Sequence, residues 1–260
     1  MVDPRFPPGL ATILIGNNPA SSIYVQNKRK ACEEVGIYAE GHTFPESVSE
    51  AELLALVHHL NHDKKIHGIL VQLPLPKTLP ERKILDAIAV EKDVDGFHYE
   101  NAGKLISNEK GLIPCAALAI VELLRAYNVT IAGAHAVVVG AGLIVGKPTA
   151  LLLLHHGATV TICHVLTKNL GTICREADIL VTAIGQPKFI KKEMVKEGAV
   201  ILDVGINRLA DSSIVGDVDF DAVVERASLI TPVPGGVGPM TIAMLLSNTL
   251  QAEKNITRRR

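Results

Sequence analysis

Tyr24 and Lys28 stand four residues apart in a segment of helical pattern, so a helix sets phenol and amine on one face. A lysine there is ordinarily a solvated charge; beside a reacting group it can carry protons. Gln72 closes the apolar run that begins at Gly68, which puts a neutral amide at the C-terminal end of a buried strand. Sites in α/β sheets lie at that edge. Asp93 and Asp95 fall in the turn-like stretch Lys92–Phe97, for which an Asx turn is the structural reading. A calcium loop is disfavoured because its remaining ligands are missing. His58 and His62 are also four apart, yet no third ligand is in view, and a polar helix face is expected. Cys32, Cys115, Cys163 and Cys174 are scattered without a CxxC pair, so neither a disulfide nor a zinc site is expected.

A second constellation is His135–Gly146, HAVVVGAGLIVG, followed by Lys-Pro-Thr and an apolar helix. Gly140, Gly142 and Gly146 follow a buried strand and precede the helix, where backbone N–H groups can hold a pyrophosphate. A Walker loop is excluded, since Pro148 follows Lys147 where Ser or Thr belongs. The next strand carries no acid about 20 residues after the first glycine, where an NAD site usually has one. Thr161–Lys168 instead holds His164 and Lys168, which suits a 2′-phosphate, so NADP is the expected cofactor and NAD the alternative.

These residues need elements to position them. Apolar runs alternate with helix-period segments, the pattern of βα units around mainly parallel sheets. Strands are expected at 11–15, 68–72, 135–140, 158–163, 178–183 and 199–204, and helices at 20–35, from Ser49, at 115–127 and at 240–253. The segment Pro232–Pro239, PVPGGVGP, reads as a loop throughout. The 260 residues carry a net charge of −1, so neither a nucleic-acid nor a membrane partner is indicated. The Arg258–Arg260 tail is expected to be a solvated end. No run approaches the length of a spanning helix and no secretory leader is seen, so a cytoplasmic location is expected.

Five segments, in order, carry a resemblance to a known family: Asn18–Lys28 through Gly36, Gly68–Pro76, Lys92–Phe97, Val200–Asn207 and Thr231–Thr241. The chain resembles the bifunctional methylenetetrahydrofolate dehydrogenase/cyclohydrolases. The resemblance implies two α/β domains with a cleft between them, the second Rossmann-like. Residues 1–115 plus 238–260 would bind folate, and 116–237 the dinucleotide. It implies hydride transfer from 5,10-methylenetetrahydrofolate to NADP, then hydrolysis of the methenyl cation to 10-formyltetrahydrofolate, with no metal.

By the same resemblance Lys28 is the central catalytic residue, with Gln72 beside it, Tyr24 stacked on folate and Asp95 bonded to the pterin. Ser21, Pro74, Pro234, Gly235 and Gly236 would also line the folate site. Gly140, Ala141, Gly142, Ile144, Val165, Ile206 and Thr241 would line the cofactor site, and a homodimer would form through that half. An ordinary lysine is a poor base at neutral pH, but a cationic substrate and partial desolvation favour the neutral amine.

The sequence departs from the family pattern in four places. Pro114-Cys-Ala-Ala117 replaces Pro-Cys-Thr-Pro, Ala141-Gly142 replaces a frequent Arg-Ser, Val165 replaces Ser or Arg, and the chain begins almost at its first strand. The alternatives are an NAD-dependent dehydrogenase without hydrolysis and a catalytically silent nucleotide-binding protein.

Overall fold

The computed structural model describes residues 7–258; Met1–Phe6 and the last two residues of the arginine tail, Arg259 and Arg260, lie outside the described residues. The chain divides into two compact units. Ala116–Thr241 makes one, and the segments on either side of it make the other.

In the first unit β1 (Gly9–Ile15), α1 (Pro19–Val35), β2 (Tyr38–Phe44), α2 (Glu50–His62), β3 (Gly68–Val71), α3 (Glu81–Asp86) and α4 (Tyr99–Ile106) follow in order. The strands form a parallel sheet, β2-β1-β3. β1 is buried throughout because both faces are covered. Ala11, Ile13 and Ile15 pack with Leu53, Val57 and Leu60 of α2 and with Ile84 and Leu85 of α3. Leu10 and Leu70 belong to a separate core with Cys32 of α1 and Leu245 and Ala252 of the C-terminal helix. Such a strand shows an unbroken apolar run rather than alternation. β2 lacks that run because it is an edge strand with half-exposed polar residues such as His42; its ladder to β1, from Gly9↔Tyr38 to Ile15↔Phe44, defines it. α2 opens on the expected capping box: Ser49 Oγ accepts the Glu52 N–H at 3.2 Å, and the Glu52 carboxylate accepts the Ser49 N–H at 3.1 Å.

α5 (Cys115–Ala126) leads into the second unit. There β4 (His135–Val139), α6 (Gly146–His155), β5 (Thr159–Cys163), α7 (Leu170–Cys174), β6 (Ile179–Thr182) and β7 (Val200–Asp203) alternate. A hairpin of β8 (Asn207–Arg208) and β9 (Ile214–Val215) precedes α8 (Phe220–Val223), β10 (Leu229–Ile230) and α9 (Val237–Arg258). The five-stranded sheet runs β10-β7-β6-β4-β5 with every neighbour parallel. This is a doubly wound order, and its direction reverses between β4 and β6, the switch point where such folds bind ligands. Val137, Val139, Leu180 and Ile201 share one core with Cys163, Cys174 and Ile190.

One expectation is corrected. The Pro232–Pro239 segment is a loop only to Gly236, and α9 begins at Val237. Pro239 fits the first helical turn, where its missing N–H would have had no intrahelical acceptor.

Candidate active site

In the first unit the α1 helix starts at Asn18, whose side-chain oxygen accepts the Ser21 N–H at 3.3 Å and whose carbonyl accepts the Ser22 N–H at 3.0 Å. That start sets the phase of the helix, so Tyr24 and Lys28 emerge half-buried one turn apart, with Ser21 buried above them. Lys28 Nζ donates to Gln72 Oε1 at 3.0 Å. Gln72 is held twice: its backbone N–H donates to Ile13 O at 2.8 Å, and its Nε2 donates to Leu73 O at 3.0 Å. With the amide nitrogen engaged, the oxygen is left for the lysine. Leu73–Pro74 is a cis peptide, and Pro74 is exposed.

Asp95 reaches the same place on a braced turn. Asp93 is buried, and its carboxylate accepts the N–H groups of Phe97 at 3.1 Å and His98 at 2.8 Å and the Asn101 amide at 2.8 Å. Asp93 is therefore the Asx-type organiser, which leaves Asp95 for another task. Gly96 has φ +71°, and a Cβ there would stand 2.6 Å from Pro114 N, so only glycine lets the turn close on the 113–115 segment. Burial raises the Asp95 carboxyl above its usual range, opposed by the Lys28 cation, reinforced by Asp93 and opposed by a hydrogen bond with Cys115. The Cys115 thiol is pushed up well above the ordinary range by burial and then by the Asp95 charge. Burial likewise raises the Tyr24 phenol.

Two members of this cluster carry no local signal in the sequence. Cys115 is one scattered thiol among four. Asn248 on α9 is buried and donates Nδ2 to Val94 O at 2.8 Å and Ile113 O at 2.9 Å, with Cys115 Sγ at 3.7 Å. No local pattern connects residues so far apart in the chain. His58 and His62, in contrast, pack against each other with ring centroids 4.4 Å apart and planes tilted by 38°.

In the second unit the loop between β4 and α6 is built by its glycines. A Cβ on Gly140, at φ +117°, would run into the carbonyl of Ala183 beyond β6, and one on Gly146 into the Gly140 carbonyl. Gly142 has open space where a side chain would stand. α6 has no side-chain cap at its N-terminus. Backbone at the switch point is thus bare and closely packed, which fits a dinucleotide pyrophosphate. Ile144, Val165 and Ile206 follow the C-terminal ends of β4, β5 and β7 and are exposed. His164 and Lys168 are exposed on the same segment as Val165, and His164 Nδ1 accepts the Leu166 N–H at 3.1 Å. Pro234, Gly235 and Gly236 also lie in this unit, as does Thr241, whose hydroxyl donates to Gly238 O at 2.6 Å. A Cβ on Gly236 would stand 2.5 Å from Pro232 O, so the turn requires glycine.

Residues 2–95 match the catalytic domain of tetrahydrofolate dehydrogenase/cyclohydrolase, and residues 114–257 match its NAD(P)-binding domain. The chain belongs to the tetrahydrofolate dehydrogenase/cyclohydrolase family. The bifunctional protein FolD of Moorella thermoacetica is 56% identical over 247 residues, which cover 95% of this chain and 88% of that protein. The crystal structure of the bifunctional FolD of Campylobacter jejuni matches with a TM-score of 0.94 at 51% identity, covering 96% of this chain and 89% of that one. The Trypanosoma brucei dehydrogenase-cyclohydrolase, solved with NADP cofactor and inhibitor, matches with a TM-score of 0.93 at 42% identity, covering 96% and 88%. The catalytic-domain match of this family contains Ser21, Tyr24, Lys28, Gln72, Pro74 and Asp95, and the NAD(P)-binding match contains the β4–α6 glycine loop. Among the described residues no group of three or more His, Cys, Asp or Glu is placed to hold a metal ion, and no helix is long and apolar enough to cross a membrane.

Proposed function

We propose that the protein oxidises 5,10-methylenetetrahydrofolate to the 5,10-methenyl cation with NADP and hydrolyses that cation to 10-formyltetrahydrofolate. The observation that carries this reading is the Lys28 Nζ to Gln72 Oε1 contact of 3.0 Å, with Asp95 close enough for its carboxyl to feel the lysine charge. A solvated surface lysine would need neither neighbour.

When bound, the dinucleotide supplies the hydride acceptor; this chain's side chains hold the folate and move protons. Tyr24 stacks on the folate ring system from the lysine face of α1. Asp95 accepts from the N–H edge of the pterin, a charge-assisted pair. Lys28 Nζ takes a proton from the water that attacks the methenyl carbon and returns it to the folate nitrogen as the C–N bond opens. Gln72 aims the lysine without adding charge. Ser21, Pro74, Pro234, Gly235 and Gly236 are assigned to folate binding on their motif positions. Gly140, Ala141, Gly142, Ile144, Val165, Ile206 and Thr241 are assigned to the cofactor. Proton transfer is thereby given to Lys28 and Gln72 of the first unit, and dinucleotide binding to the glycine loop of the second.

NAD use is the second reading, favoured by the uncharged Ala141, Gly142 and Val165 where a 2′-phosphate would seek partners. A cytoplasmic homodimer formed through the cofactor half completes the proposal, and sedimentation tests its mass. The deciding assay follows methenyl absorbance from methylenetetrahydrofolate with NADP or NAD, then its decay after the dinucleotide is removed. Formation with NADP followed by enzyme-dependent decay is expected. No methenyl product with either dinucleotide overturns the reading.

A further inference from the structure

At the C-terminal ends of β6 and β7 in the second unit lie two buried carboxylates for which the proposed chemistry has no use. Asp217 is 0% and Asp203 4% exposed. Among the described residues neither forms an ion pair. Instead, Asp217 accepts three consecutive backbone N–H groups, Ile184 at 2.6 Å, Gly185 at 3.2 Å and Gln186 at 3.0 Å, and the Asn207 amide at 2.9 Å. Asp203 accepts the Thr182 hydroxyl at 3.1 Å and the N–H groups of Gly205 at 3.0 Å, Asp217 at 3.0 Å and Val218 at 2.8 Å. The second carboxylate thus seats the backbone of the first.

Burying two like charges together is costly unless nearly every lone pair is met by a donor. Burial raises the Asp203 carboxyl, against the N–H groups of Val218, Asp217 and Gly205, and the Asp217 charge raises it further. An apolar pair would brace the fold with less penalty, so the donors that the carboxylates gather are the informative part. Gly205 and Gly216 leave no room for a Cβ beside the two carboxylates, which shows how closely the backbone wraps them. Ile184–Gln186 directly follow Ala183, whose carbonyl packs against Gly140 across the switch point. Asn207 follows Ile206 and opens β8, in the chain that leaves the C-terminal end of β7. Both held segments therefore rim the dinucleotide site, and one carboxylate joins them.

We propose that Asp217, seated on Asp203, is a positioning residue for dinucleotide binding: it ties the loop after β6 to the Ile206–Asn207 segment and holds both in the receiving shape. The proposal rests on the reading of this unit as a dinucleotide site. In Asp217→Asn one carboxylate oxygen becomes an NH2 that faces N–H donors, so the ring of bonds cannot close.

The test uses the full chain and measures NADP affinity by titration calorimetry, methenyl hydrolysis without dinucleotide, and thermal unfolding. Asp217→Asn is expected to weaken NADP at least tenfold, with folate hydrolysis within twofold of the parent protein. Asn207→Ala removes only the far link and is expected to weaken NADP about threefold to tenfold, with a melting temperature that falls but leaves the protein folded. It decides the matter if the Asp217 variant does not fold. Asp217→Glu, which keeps the acceptor, is expected to recover part of the affinity. Parent-like NADP affinity in the folded Asp217→Asn or in Asn207→Ala, even with a lower melting temperature, makes the pair a structural brace and overturns the proposal. Failure of the parent protein to bind either dinucleotide instead overturns the reading of the site.

Discussion

Replacing Lys28 with methionine keeps most of the side-chain length and its packing on α1 while removing the proton carrier. In the structure the change deletes one hydrogen bond, Nζ to Gln72 Oε1 at 3.0 Å, on a half-buried side chain. A charge-assisted bond at a partly solvated site contributes less than about 1 kcal/mol to stability. Proton transfer by a positioned side chain contributes about a hundred- to ten-thousand-fold in rate, or roughly 3–5 kcal/mol. The catalytic loss should therefore far exceed any loss of stability. Loss of the Lys28 cation also removes the pull that opposes burial at Asp95, so that carboxyl rises further. Lys28→Met is expected to lose at least a hundredfold in methenyl hydrolysis, with a melting temperature within about 3 °C of the parent. As pH falls, the folate KM should therefore begin to rise at a higher pH than in the parent. The assay is decay of methenyl absorbance, corrected for the uncatalysed rate. Hydrolysis within threefold of the parent would refute the assignment of Lys28 as the proton carrier.

Asp95 has a folded-state carboxyl raised above its unfolded value, so the folded protein binds that proton more tightly. Its contribution to stability is most favourable in acid and declines as pH rises through the folded value. Asp95→Asn should then melt higher than the parent at pH 7 while its folate KM rises; a lower melting temperature at pH 7 contradicts the sign. Gly146→Ala, which drives a methyl into the Gly140 carbonyl, should cost about 1–3 kcal/mol, whereas Gly142→Ala, in open space, should stay within about 0.5 kcal/mol. Equal losses in urea unfolding would contradict that distinction. Val165 is 94% exposed, so an arginine there meets no obstruction. Val165→Arg is expected to raise the NADP to NAD ratio of kcat/KM about tenfold by pairing with a 2′-phosphate. An unchanged ratio removes that position from phosphate recognition.

What could be read from the sequence alone rests on local regularities. The apolar runs of β1, β3, β4 and β6 appear because both faces of each sheet are covered. The capping box at Ser49 and the glycine spacing from Gly140 to Gly146 are likewise local geometric demands. Lys28 and Gln72 could be named because they sit in long motifs, although nothing local states that they touch. Tertiary structure decided the rest. β2 is a strand only through its ladder to β1, α9 begins inside a segment that reads as loop, and Asn248 clamps carbonyls 154 and 135 residues away. Asp217 gathers N–H groups from residues about thirty positions earlier. A buried polar atom must find a partner wherever the fold brings one, and that obligation leaves no periodic mark along the chain.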